Sequence, residues 1–191
     1  MRSASTRGCG VADVLYARIP MERLGVLIGP GGETKKRLED RTGVKVLVDS
    51  ATGEVTIDES AAPDKFLAVK VRDLVTAIGR GFSEERAWRL LNDDAYFAVF
   101  DIKDYAHTPA RIAQVRARVI GTKGKTRRIL EDLTGAAVSV YGHTVAVIAD
   151  DLQLPIAQEA VLMLLRGSEH ATVYRFLERK RADLKVAEMG F

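Results

Sequence analysis

The chain carries one cysteine, Cys9, in 191 residues, which excludes an internal disulfide and a cysteine-rich zinc site. It has one asparagine and three glutamines, and 19 arginines against 10 lysines. That composition avoids thermolabile side chains and predicts a thermophilic source. The histidines His107, His143 and His170 lack ligand spacing and read as surface or turn residues, so no metal or cofactor is expected. The longest apolar runs, such as Ala160 to Leu165, are six residues, far short of the roughly 20 that a bilayer demands. Arg2 and Arg7 are followed by no apolar run, so residues 1–11 read as a disordered leader and the protein as cytoplasmic. Hydrophobic residues at 47% and charged residues at 29% are ordinary for a globular protein and exclude a mostly disordered chain.

What the chain does have is a repeat. Ile28 to Val46 aligns without gaps on Ile120 to Val138, and ten of the nineteen positions are identical. Chance gives roughly one or two, so the chain holds two related units. Each copy centres on a G-x-x-G loop, Gly29-Pro30-Gly31-Gly32 and Gly121-Thr122-Lys123-Gly124, followed by Leu-Glu-Asp and Thr-Gly at matching positions.

The periodicities predict the same order of elements in both units. In the first, Val14 to Ile19 reads as a strand, and Met21, Leu24 and Ile28 mark one helical face that stops at the loop. A helix follows over Glu33 to Arg41, then a hairpin of Val44–Val48 and Glu54–Asp58, then a helix opened by Pro63. The second runs as a strand from Ala95, a helix over Pro109–Ile120, the loop, a helix over Lys125–Leu133, a hairpin around Gly142-His143, and a helix over Leu154–Leu165. The expected division is 12–82, a connecting helix within 83–94, 95–168, and a charged tail helix within 169–191. The class is α+β.

The loops have phosphate-binding chemistry. Glycines without a Cβ let the backbone approach a phosphodiester, and the next helix offers orphan N–H groups at its positive end. Global charge is only +3, but Tyr105 to Leu130 contains no acid and seven cations: Arg111, Arg116, Arg118, Lys123, Lys125, Arg127 and Arg128. The candidate contacts are Ile28, Gly29, Pro30, Gly31, Gly32, Lys35 and Lys36 in the first copy. In the second they are Ile120, Gly121, Thr122, Lys123, Gly124, Lys125, Arg127 and Arg128. The segment Glu33–Arg37 carries +2 and Lys125–Ile129 carries +3, with Lys123 in addition, so the second copy is expected to bind more strongly.

Enzymatic alternatives fail on spacing. Gly124-Lys125-Thr126 ends like a P-loop, but the required earlier glycine is Val119. A dinucleotide fingerprint from Gly29 would need its third glycine at Thr34. The carboxylate pairs Glu39-Asp40 and Glu131-Asp132 lie mid-helix beside basic residues and read as solvated, so no catalytic residue is assigned.

An I-G-x-x-G loop joining two helices, with Thr-Gly ending the second, resembles the type I KH domain, in two copies covering nearly the whole chain. The resemblance implies two tandem β-α-α-β-β-α units, each a three-stranded antiparallel sheet packed on three helices, and single-stranded nucleic-acid binding in a groove beside the loop. It implies grooves lined by Leu24, Ile28, Val46 and Val48, and by Val119, Ile120, Val138 and Val140. Lys35 and Arg127 depart from the aliphatic residue usual at that position.

The stretches Gly124–Gly135, Ser139–Ile148 and Glu159 through His170 to Glu178 resemble the archaeal and eukaryotic KH proteins of small-subunit ribosome assembly, the partner-of-Nob and Krr kind. That implies an archaeal, monomeric, non-enzymatic protein that binds single-stranded RNA at the 3′ end of small-subunit rRNA. Its implied partners are the Nob endonuclease and the alpha subunit of translation initiation factor two. A protein-docking adaptor, or a KH factor of translation or RNA decay with one RNA-competent domain, is the alternative.

Overall fold

The computed structural model describes residues 14–60 and 64–188; the expected leader and Pro63 lie outside them. The first unit comprises β1 (Val14–Arg18), α1 (Met21–Ile28), a 3-10 turn at Pro30–Gly32, α2 (Glu33–Thr42), β2 (Lys45–Val48), β3 (Glu54–Asp58) and α3 (Lys65–Gly79). A short helix α4 (Glu84–Ala87), prolonged by a 3-10 turn over Trp88–Leu91, connects it to the second unit. That unit comprises β4 (Ala95–Asp101), α5 (Pro109–Ile120), a 3-10 turn at Thr122–Gly124, α6 (Lys125–Thr134), β5 (Ala137–Tyr141), β6 (Thr144–Asp150) and α7 (Gln153–Arg166). Helix α8 (His170–Glu188) follows. Both sheets are antiparallel, in the orders β1-β3-β2 and β4-β6-β5.

The repeated residues build one corner twice. Gly43 and Gly135 close α2 and α6 in the left-handed region, with φ of 71° and 77°, where a side chain would be strained. Beside them the Thr42 hydroxyl donates to the Leu38 carbonyl at 2.7 Å and accepts from the Val44 N–H at 3.3 Å. Thr134 does the same with Leu130 and Ala136, at 2.8 and 3.2 Å.

Glu39 accepts the Val46 N–H at 2.8 Å, and Glu131 accepts the Val138 N–H at 2.9 Å. The expectation that these two carboxylates are simply solvated is therefore incorrect: each ties its helix to the strand that follows. Three of the shared positions, the glutamate, the threonine and the glycine, thus have a structural reason, because an unpaired N–H or carbonyl at a buried corner is costly.

The two sheets differ in how they are covered. In the first, Val55 and Ile57 of β3 are buried on one face, while the other face leaves Tyr16 60% and Leu47 62% exposed. These two flank Thr56 in register across the three strands. In the second, every residue of β6 from Thr144 to Ala149 is buried. Val145, Val147 and Ala149 join the core under α7, whereas Ala146 and Ile148 join Leu74, Ile78 and Phe82 of the first unit.

Sheet two is therefore packed on both sides, by its own helices and by the first unit's α3 region. Polar contacts fix the seam: the Ser139 hydroxyl donates to the Arg80 carbonyl at 2.8 Å, and Arg86 Nη1 lies 2.6 Å from Glu131 Oε1. At the same seam Tyr141 bonds Glu22, and the Arg23 guanidinium sits 6.0 Å from the Tyr141 ring centre.

Candidate nucleic-acid interface

Each loop is a left-handed excursion between two helices. Gly29 and Gly121 adopt φ 74°, ψ 172° and φ 73°, ψ 171°, a region essentially restricted to glycine. A Cβ there would fall 2.2 Å from the hydroxyl of Thr34 or Thr126 respectively, so the loop backbone rests directly on a threonine. Gly32 and Gly124 take φ 85° and 77°, and a Cβ on either would meet open space. The first glycine of each loop answers to close packing and backbone shape, and the last to backbone shape alone.

Between them the copies diverge. Gly31 stands at φ 59°, and Lys123 holds the equivalent position at φ 52°, the sole non-glycine with positive φ among the described residues. Pro30 has no N–H to offer a ligand, whereas Thr122 at the same position has one. Pro30, Gly31, Thr122 and Lys123 are all exposed at the loop tips.

Fewer side chains are open beside each loop than the resemblance implied for a groove. Leu24, Val46, Val119 and Val138 belong to the two cores, 5% exposed or less, and offer almost no surface to a base. Ile28 and Val48, and Ile120 and Val140, are half-buried; Ile28 and Val48 pack against the first core and Val140 against the second. Of the eight residues, these four keep apolar surface open to solvent.

The cations divide unequally. In the first copy Lys35 pairs with Glu39 at 3.4 Å and Arg37 with Glu84 at 3.1 Å, while Lys36 makes no ion pair among the described residues. In the second copy Lys123, Lys125 and Arg128 are all exposed and make none among the described residues. Arg127 is only loosely held, 3.9 Å from Glu131, whose other oxygen is taken by Arg86. Among the described residues no group of three or more His, Cys, Asp or Glu could hold a metal ion, and no helix is long and apolar enough to cross a membrane.

Known proteins share this arrangement. Residues 96–182 match the eukaryotic-type KH domain, type I, and residues 15–64 match the KH domain. A KH domain-containing protein of Methanocaldococcus jannaschii is 50% identical over 171 residues, which span 89% of this chain and 75% of that protein. The pre-rRNA-processing protein pno1 of Aspergillus fumigatus is 29% identical over 153 residues, 78% of this chain and 58% of that protein. In the crystal structure of an a/eIF2alpha–aDim2p–rRNA complex from Pyrococcus horikoshii, a chain 48% identical superposes with a TM-score of 0.82, covering 89% of this chain and 94% of its own. The chain belongs to the Dim2/Pno1 family of KH-domain proteins.

In this Dim2/Pno1 chain the unusual Lys35 and Arg127 leave helix packing intact. Thr34, Leu38 and Thr42 of α2, and Thr126, Leu130 and Thr134 of α6, supply the buried stripe, and the cations lie at its edge. Thr34 and Thr126 were absent from the contacts expected from sequence, yet each is the seat of its loop, 3% and 2% exposed. Their identity in both copies was the available signal. Glu84 and Tyr174 were missed as well: Thr34 donates to Glu84 at 2.8 Å, and the hydroxyls of Thr126 and Tyr174 lie 2.9 Å apart. Both partners lie outside the aligned stretch, so the repeat gave no pointer to them.

Proposed function

We propose that this protein binds single-stranded RNA through both G-x-x-G loops, at the 3′ end of small-subunit rRNA during ribosome assembly, with the second loop as the stronger clamp. The observation that carries the ranking is the set of exposed cations without ion pairs, Lys123, Lys125 and Arg128, around a loop that also offers the Thr122 N–H. Phosphates bind where backbone donors, a helix N-terminus and free charge converge. Ile28 and Val48, and Ile120 and Val140, supply apolar walls against which bases rest.

The functional division is 12–82 and 95–168, with the connecting and tail helices as braces. Relatives in the family include a pre-rRNA-processing protein and a Dim2p crystallised with rRNA and a/eIF2alpha, which supports rRNA and the initiation-factor alpha subunit as partners here. The Nob endonuclease is the further partner. The protein works as a cytoplasmic monomer and as a binding factor, without catalysis of its own.

The test is titration of a labelled RNA carrying the 3′ end of small-subunit rRNA. Contacts to three or four phosphates give a log–log salt slope of about −2 to −3 for single strands. Replacing Thr122 and Lys123 with aspartates is expected to lower affinity more than the same change at Pro30 and Gly31; the reverse order overturns the ranking. A protein-docking role is favoured by one observation, the exposed Tyr16–Thr56–Leu47 row on the first sheet, and RNA affinity insensitive to both loop changes would select it.

A further inference from the structure

Each loop sits on a threonine, and each threonine is held by one side chain from outside the repeat. Behind loop two that side chain is neutral: the Tyr174 hydroxyl lies 2.9 Å from Thr126 Oγ1. Its ring stacks on His170, with centroids 6.0 Å apart and planes 13° from parallel, and His170 Nε2 lies 2.9 Å from the Arg118 carbonyl oxygen. Behind loop one the same station is a carboxylate. Glu84 Oε2 accepts the Thr34 hydroxyl at 2.8 Å, and Oε1 accepts from Arg37 Nη1 at 3.1 Å and Trp88 Nε1 at 3.0 Å. The mechanical support is equivalent, and the electrostatics are not.

We propose that Glu84 attenuates loop one. It supports the loop through Thr34 but sets a negative charge behind the turn that would receive a phosphate, against the positive end of α2. It also occupies Arg37, so the +2 of Glu33–Arg37 becomes +1 once Glu84 is counted, whereas the +3 of Lys125–Ile129 is unreduced by Tyr174. The two clamps are thereby graded by residues that touch no ligand: α4 holds the weaker loop and α8 the stronger. A carboxylate this near an anion site opposes binding through a term that salt screens.

The inference rests on the reading of both loops as RNA clamps, and the experiment separates the two. In the full chain, loop two is silenced by Thr122→Asp with Lys123→Asp, so that a labelled single-stranded RNA of the rRNA 3′ end reports loop one. Glu84→Gln keeps an acceptor for Thr34 and removes the charge. It is expected to tighten binding about two- to fivefold at low salt, with the gain shrinking as salt rises. Glu84→Asp keeps the charge and gives no gain.

In the converse background, silenced by Pro30→Asp with Gly31→Asp, Tyr174→Glu is expected to weaken loop two by a similar factor, again most at low salt. The two variants are independent, so a folding failure in one leaves the other decisive; thermal melting of each identifies such a failure. Unchanged or weaker binding by folded Glu84→Gln, or a Tyr174→Glu loss that is the same at all salt concentrations, overturns the inference. If neither background binds better than a chain silenced at both loops, the clamp reading fails and takes the inference with it. If both bind and the substitutions do not act in opposite directions, the attenuation alone is wrong.

Discussion

Lys123 occupies in the second loop the left-handed backbone position that Gly31 occupies in the first, at φ 52° against 59°. A lysine there costs of order 1 kcal/mol or more in backbone strain, and the strain sits at the exposed tip of the loop proposed to receive a phosphate. Replacing it with glycine relieves the strain and adds back the greater chain entropy of glycine. Lys123→Gly is expected to leave stability equal or raise it by up to about 1 kcal/mol in chemical denaturation, while RNA affinity falls. A stable variant with full affinity would show that the lysine serves neither purpose.

The outer glycines separate packing from conformation. Gly121→Ala drives a Cβ onto the Thr126 hydroxyl, 2.2 Å away, in a region only glycine adopts, whereas Gly124→Ala meets open space. The first is expected to cost about 2–4 kcal/mol and abolish binding by loop two, the second about 1–2 kcal/mol. Equal losses in urea denaturation would contradict the close contact.

The strand brace yields a stability prediction without RNA. Glu131→Ala orphans the Val138 N–H and removes the partner of Arg86, so a loss of about 1–3 kcal/mol is expected. Asp132→Ala, which touches neither, is expected to cost less than about 0.5 kcal/mol. Comparable losses would return Glu131 to the solvated role that its mid-helix position first suggests.

Three aspartates contribute to the acid dependence of stability. The Thr52 hydroxyl and Ala51 N–H hold Asp49 below the ordinary value of 3.8, and Ser60 does the same for Asp58. Burial pushes Asp101 up, but the Lys103 N–H and His143 outweigh it and hold it low. Groups lowered on folding stabilise above their unfolded value and lose that contribution as pH falls through the folded one. The melting temperature is therefore expected to be flat with respect to these groups above about pH 5 and to decline below 3.8. Asp101→Asn is expected to reduce the acid decline.

The order of elements was legible because the repeat let each segment be read twice: α5 runs Pro109–Ile120 and β3 Glu54–Asp58, as the periodicity predicts. The facing of α3 was harder to read than its extent. Helix α3 buries Ala68, Val71, Leu74, Val75, Ala77 and Ile78 because it lies between its own sheet and the second one, which erases the single apolar stripe that an amphipathic reading expects. Phe66, in its first turn, is 53% exposed, while Lys70 is buried at 6%. In the site, the glycines were legible from backbone demands, whereas the groove walls were overcounted because Val46 and Val138 look alike as core or lining until the strand register is known.

The doubly covered second sheet makes the two loops parts of one solid rather than beads on a string. A strand shared between two cores ties the two units together by buried apolar contacts, so turning one loop against the other would break them. On the proposed reading, an RNA held by both loops spans a gap set by this packing, and a strand with nucleotides added or removed between the two grips would have to bulge or let one go. Under that proposal the spacing between the two grips, set by the fold, selects the length of the target.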